Sequence, residues 1–239
     1  MAEANYKSTM ITHDNPKSPV SEAYRTLRTN IQFSSIDREV KVIMVTSASP
    51  GEGKTTTSTN LAITYAQTER RVLLIDADMR KPSIHKVFLK TNMKGLSTII
   101  SGQTSIESTI QPTLVNHLSL LTSGPIPPNP SEILGSQRMG TLLQDLKKQF
   151  DIIIIDTPPA LAVTDAQLLS TKCDGVLLVI RHGYVKQEHA VKVKAMFDYV
   201  QAKIFGVVIN NISRKTAESY NYYYYYKYYG SKVDEGKDV

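Results

Sequence analysis

Between residues 48 and 55 the chain reads Ala48-Ser49-Pro50-Gly51-Glu52-Gly53-Lys54-Thr55, a glycine-rich loop closed by a lysine and a hydroxyl residue. Backbone N–H groups of such a loop, and of a helix starting at its end, point at anionic phosphate, while a lysine adds positive charge to the outer phosphates. On that chemistry Pro50, Gly51, Glu52, Gly53, Lys54, Thr55 and Thr56 are expected to cradle the phosphates of ATP or GTP. Thr55 would offer its hydroxyl to Mg2+, a cation that takes oxygen ligands. The loop departs from the usual phosphate-binding pattern at one place, Ala48, where the first glycine would stand.

Three aspartates have types and places that complement this loop. The segments VLLIDADMRKP and DIIIIDTPP put Asp76, Asp78 and Asp156 directly after apolar runs. Ligands collect at the carboxyl ends of strands in an open parallel sheet, so these carboxylates are expected to face the phosphates. One can hold a magnesium-bound water and another can accept a proton from an attacking hydroxyl. The expected metal set is Thr55, Asp78 and Asp156, and Asp76 is preferred to Asp78 as the base. Arg80 reads equally as a phosphate contact or as the partner of an aspartate. At the end of GVVINNI, Asn210 or Asn211 is placed either to read an adenine edge through its amide or to shape a turn.

A candidate acceptor for a transferred phosphate stands near the C-terminus. Eight of thirteen tyrosines, Tyr220, Tyr222, Tyr223, Tyr224, Tyr225, Tyr226, Tyr228 and Tyr229, fall within ten residues. No helical or alternating period sorts them into an inner and an outer face, and a buried tyrosine needs a partner for its hydroxyl. They are therefore read as a solvent-exposed tail, either a substrate or an adhesive low-complexity segment.

The elements that must position these residues follow from the apolar pattern. Short continuous runs, 42–45, 72–75, 118–121, 152–155, 176–180 and 204–209, are those of strands covered on both faces. Helix-like stretches lie between them at 55–68, 131–150 and 186–200. The alternation predicts an α/β fold with a doubly wound, mainly parallel sheet flanked by helices, of the P-loop NTPase type. Residues 1–18 carry Asn15-Pro16 and Ser18-Pro19 and read as a flexible arm; 19–212 read as one domain, and 213–239 as a flexible tail. Within 21–33, Ala23, Leu27, Ile31 and Tyr24 are expected on one helical face, with Ser21 as the cap.

Composition narrows the partners. A formal charge of +6, with cations and anions scattered, does not single out nucleic acid. The lone Cys173 excludes a disulfide framework within the chain and fits a reducing cytoplasm. No apolar run is long enough to span a bilayer, so membrane association is expected through a partner.

Taken in order, Glu22-x-x-Arg25-x-x-Arg28, the loop at 48–55, Asp76-Ala77-Asp78-Met79-Arg80, GPIPPNPSEIL, Asp156-Thr157-Pro158-Pro159 and the tyrosine tail resemble the bacterial tyrosine kinases (BY-kinases). The resemblance is to the separate cytoplasmic kinase subunits of Gram-positive capsule and exopolysaccharide systems, the CapB type, and it runs from about Ser18 to the C-terminus. It implies an ATP- and Mg2+-dependent protein-tyrosine autokinase in which Lys54 serves phosphate, Thr55 serves magnesium, and Asp76, Asp78 and Asp156 form the catalytic acidic group. It further implies a ring whose subunit contacts include Glu22, Arg25 and Arg28, which share a helical face at that spacing. A transmembrane activator of the polysaccharide co-polymerase type, a cognate tyrosine phosphatase, and a peripheral cytoplasmic location through the activator are implied as well. The alternative is a MinD- or ParA-like ATPase switch without kinase activity. Those ATPases carry a lysine where this chain has Ser49, and its absence favours the kinase.

Overall fold

Continuous apolar runs become the strands of one sheet in the computed structural model, which describes residues 8–34 and 39–212. In chain order, a 3-10 turn at Ser8–Met10 leads into α1 (Ile11–Asp14) and α2 (Pro19–Phe33), followed by β1 (Val42–Ser47) and α3 (Lys54–Ala66). Then come β2 (Val72–Asp76), α4 (Ile84–Val87), α5 (Leu96–Ile100), β3 (Gln111–Pro112) and β4 (Leu118–Leu121). The remainder is α6 (Pro130–Gly135), α7 (Gln137–Gln149), β5 (Ile152–Asp156), α8 (Asp165–Ser170), β6 (Gly175–Arg181), α9 (Gln187–Tyr199) and β7 (Ile204–Asn210).

The strand order is β3-β4-β2-β5-β1-β6-β7, parallel throughout except for the short β3. Side chains alternate between two apolar layers. Ile43, Val45, Leu74, Ile154 and Val179 pack on the side that holds α3, whereas Met44, Leu73, Ile75, Ile155 and Leu178 pack with Leu142, Leu146 and Phe197 of α7 and α9. β1, β2 and β5 are buried at every residue, as two covering layers require. The doubly wound parallel architecture expected from the sequence is what the chain adopts.

Five local features depart from the sequence reading. Residues 1–18 were expected as a flexible arm, but Met10 and Thr12 are buried. Asn60 of α3 pins them: its Oδ1 accepts the Thr12 N–H (2.9 Å) and hydroxyl (2.8 Å), and its Nδ2 donates to the Thr9 carbonyl (2.6 Å). The cap of α2 is Ser18 rather than Ser21, because the Ser18 hydroxyl accepts the Ser21 N–H. Its inward face is Tyr24, Leu27 and Ile31, while Ala23 is exposed. The stretch 131–150 is two helices: Ser136 takes an extended conformation after Gly135, and its hydroxyl accepts the Met139 N–H to start α7 afresh. The antiparallel β3 was not anticipated. The tyrosine cluster and the 213–239 tail lie outside the described residues.

Candidate active site

Strand order assembles the site. β1 is flanked by β5, and β5 by β2; Asp76 pairs in register with Asp156, and Asp156 with Val45 of β1. Two carboxylates and the loop that leaves β1 therefore share one edge of the sheet. Gly53 caps α3 in the left-handed region (φ 92°, ψ 23°), and a Cβ there would lie 2.0 Å from the Asn210 amide nitrogen, so only glycine fits. Lys54, Thr55 and Thr56 form the first turn of α3, whose opening N–H groups have no partner within the helix and remain for an anion.

The charged groups are tightly linked. The Lys54 ammonium lies 3.2 Å from Asp78, and the Thr55 hydroxyl donates to Asp156 at 2.7 Å. Ser58, one turn along the same helix face, donates to the other Asp156 oxygen at 3.1 Å. Asp76 accepts three backbone N–H groups, from Asp78, Ser83 and Ile84, at 3.0–3.2 Å. Asp76 and Asp156 are fully buried and Asp78 nearly so.

Burial, reinforced by the neighbouring Asp156 and Asp78 charges, pushes the Asp76 carboxyl up to about 7, although the Ile84 and Ser83 N–H groups oppose the rise. Burial also raises Asp156, with Lys54, Thr55 and Ser58 pulling the other way. For Lys54, burial favours the neutral amine, but Asp156, Asp78 and Asp76 outweigh it and hold the ammonium above the ordinary lysine value. The arrangement offers a cation to phosphate, hard oxygens at Thr55 and Asp156 to a divalent metal, and a carboxyl that exchanges its proton near neutrality.

Lys54, Thr55, Asp76, Asp78 and Asp156 are brought together. Glu52 turns its buried carboxylate inward, accepting N–H groups from Ser49 and, at 3.2 Å, from Arg181 at the end of β6. Asn210 donates to the Glu52 carbonyl at 2.9 Å and accepts the Asn211 N–H at 2.8 Å, so its amide braces the loop. Arg80 forms a two-pronged ion pair with the buried Asp165 (3.0 Å to each oxygen) and reaches Ser131 at 3.1 Å, which resolves its two readings in favour of an aspartate partner. On α2, Arg25 pairs with Glu22 at 2.7 Å and touches the Pro16 carbonyl, while Arg28 donates to the Thr64 carbonyl at 2.6 Å. Ser58 and Ser83, whose hydroxyl is 3.4 Å from that of Thr55, were missed from the sequence. Ser58 was legible from its three-residue spacing to Thr55 on a helix; Ser83 carried no signal.

Among the described residues no group of three or more His, Cys, Asp or Glu side chains could hold a metal ion. The Thr55–Asp156 pair nevertheless suits Mg2+, which needs only one or two protein oxygens beside substrate phosphates and water. No described helix is long and apolar enough to cross a membrane.

Residues 40–206 match the family model described as an AAA domain. The chain is 46% identical over 214 residues to a tyrosine-protein kinase, YwqD, of Bacillus subtilis (strain 168), covering 90% of both chains. It is 40% identical over 216 residues to the putative tyrosine-protein kinase CapB of Staphylococcus aureus, covering 90% of this chain and 95% of that one. The crystal structure of the chimerical protein CapA2B2 superposes with a TM-score of 0.84 at 40% identity, over 87% of this chain and 91% of that one.

Proposed function

The chain belongs to the bacterial tyrosine-protein kinase family, and on that premise we propose that it is an ATP-dependent kinase of its own C-terminal tyrosines, Tyr220 to Tyr229. The observation that carries this reading is the contact of Lys54 with Asp78 and of Thr55 with Asp156 at the sheet edge that also holds Asp76, whose carboxyl is pushed up to about 7.

A tyrosine hydroxyl has an ordinary pKa of about 10 and needs a base at neutral pH. In the proposed reaction a tail oxygen forms a bond to the γ-phosphorus while the bond to the β–γ bridging oxygen breaks. The hydroxyl proton passes to the Asp76–Asp78 pair, in which Asp76 has the matching pKa and Asp78 is the less enclosed. Lys54 leaves Asp78 for the outer phosphates, and the N–H groups at the start of α3 hold them in line. Mg2+ held by Thr55 and Asp156, with Asp78 close by, would neutralise charge on the transferred group.

Transfer runs between subunits of a ring in which Glu22, Arg25 and Arg28 make contacts, and it regulates capsule or exopolysaccharide synthesis. The ring docks on the cytoplasmic side of a membrane through a transmembrane activator, and a tyrosine phosphatase resets the tail. Support comes from the EAYRTLR spacing on α2 and from the family itself. Incubation with γ-labelled ATP and Mg2+ tests the reading. Label on residues 220–229 that disappears in Lys54→Met is expected, whereas hydrolysis to ADP with no labelled tyrosine would favour a switch.

A further inference from the structure

The sheet order makes the two ends of a bound nucleotide distinguishable. The loop leaves β1 at the centre of the sheet, and the two side chains suited to the terminal phosphates and their metal, Lys54 and Thr55, both meet carboxylates on one flank: Asp156 at the end of β5 and Asp78 just beyond β2. With the outer phosphates on that flank, the nucleoside must leave on the other, over β6 and β7. There the loop is fastened to both strand ends, through the Glu52 carboxylate to the Arg181 N–H and through the Glu52 carbonyl to Asn210.

Immediately after β6 the chain turns, with Gly183 in the left-handed region (φ 69°) and the Tyr184 N–H returning to the Arg181 carbonyl at 3.2 Å. This turn places the Arg181 guanidinium over the Tyr184 ring, 5.2 Å from its centroid, while the ring stays 58% exposed. Tyr184, three residues beyond the backbone N–H that meets Glu52, is thus a largely exposed aromatic with a cation over its ring. Asn210, the sequence candidate for base recognition, already spends a donor and an acceptor of its amide inside the protein.

We propose that the Arg181–Tyr184 pair, on the turn that follows the Arg181 N–H contact to Glu52 of the phosphate loop, is a stacking platform for a purine base. The inference deepens the kinase reading and rests on it for the position of the phosphates. Stacking needs only a π-face, so the platform contributes affinity for the larger purine over a pyrimidine and leaves adenine against guanine to other groups. Arg181 acts through the ring, polarising it and fixing its orientation, whereas Tyr184 touches the ligand.

The full-length chain, titrated calorimetrically with ADP and separately with tripolyphosphate in the presence of Mg2+, tests this. Tyr184→Ala is expected to weaken ADP about five- to 150-fold, about 1–3 kcal/mol, with tripolyphosphate unchanged. Tyr184→Phe should bind ADP as the parent does, and Arg181→Met should lie between. Unchanged ADP affinity in Tyr184→Ala, or an equal loss for tripolyphosphate, overturns the platform while the kinase reading stands. A parent chain that binds neither ligand overturns both.

Discussion

Replacing Asp76 with asparagine should change how stability depends on pH. Asp76 lies at the end of β2, fully buried and paired in register with Asp156, and its carboxyl titrates near 7 instead of near 3.8. Below about 3.8 both folded and unfolded chains hold the proton. Between 3.8 and 7 only the folded chain holds it, so this stabilising contribution falls as pH rises through the window and is gone above 7. From pH 5 to 8 the loss spans about two units at 1.36 kcal/mol each, on the order of 3 kcal/mol. Asp76→Asn removes the ionisation and keeps the shape. Its fixed cost is the amide nitrogen, which must face one of the three backbone donors that the carboxylate now satisfies. Urea denaturation of both chains at pH 5, 6, 7 and 8, followed by circular dichroism, isolates the effect. The parent should lose about 3 kcal/mol more than the variant across the range, with most of the loss below pH 7. Parallel pH curves would refute the claim that Asp76 holds a proton in the folded chain below neutrality.

Other consequences are more local. Arg80→Ala leaves the fully buried Asp165 without its partner. Since the Arg80 side chain is 38% exposed, water can replace part of the pairing, so we expect a loss of about 2–3 kcal/mol, roughly 5–10 °C in calorimetric Tm, with only partial recovery in Arg80→Lys. Asn60→Ala removes the two acceptor contacts that hold Thr12 and the donor that holds Thr9, so amide hydrogen exchange at residues 9–14 should accelerate at least tenfold while β1 and β5 stay protected. Phosphorylation of all eight tail tyrosines would add on the order of −12 to −16 charges against the chain's +6. Light scattering should then show the phosphorylated assembly dissociating into smaller species.

Sequence carried the frame because the frame is written locally. Val42–Val45 and Ile152–Ile155 are uniformly apolar since helices cover them on both sides, and Asp76 and Asp156 mark strand ends because a carboxylate follows each run. What was lost depends on pairs far apart in the chain. Asn60 meets Thr12 across 48 residues, Arg80 meets Asp165 across 85, and Asn210 meets Glu52 across 158. No periodicity reports such contacts, so the docked N-terminal segment looked like a polar arm and the Asn210 amide looked available. The break between α6 and α7 was legible, since Gly135-Ser136 is a stop followed by a cap, but the apolar spacing on either side concealed it. For Arg80 the residue type allowed two partners, and only the fold brought Asp165 to its guanidinium.

Intact-mass measurement of the full-length chain, incubated with ATP and Mg2+ and followed by peptide mapping, tests the kinase assignment most directly. The account predicts successive additions of phosphate confined to Tyr220–Tyr229, absent from Lys54→Met. ATP consumed with no mass added to those tyrosines would contradict it.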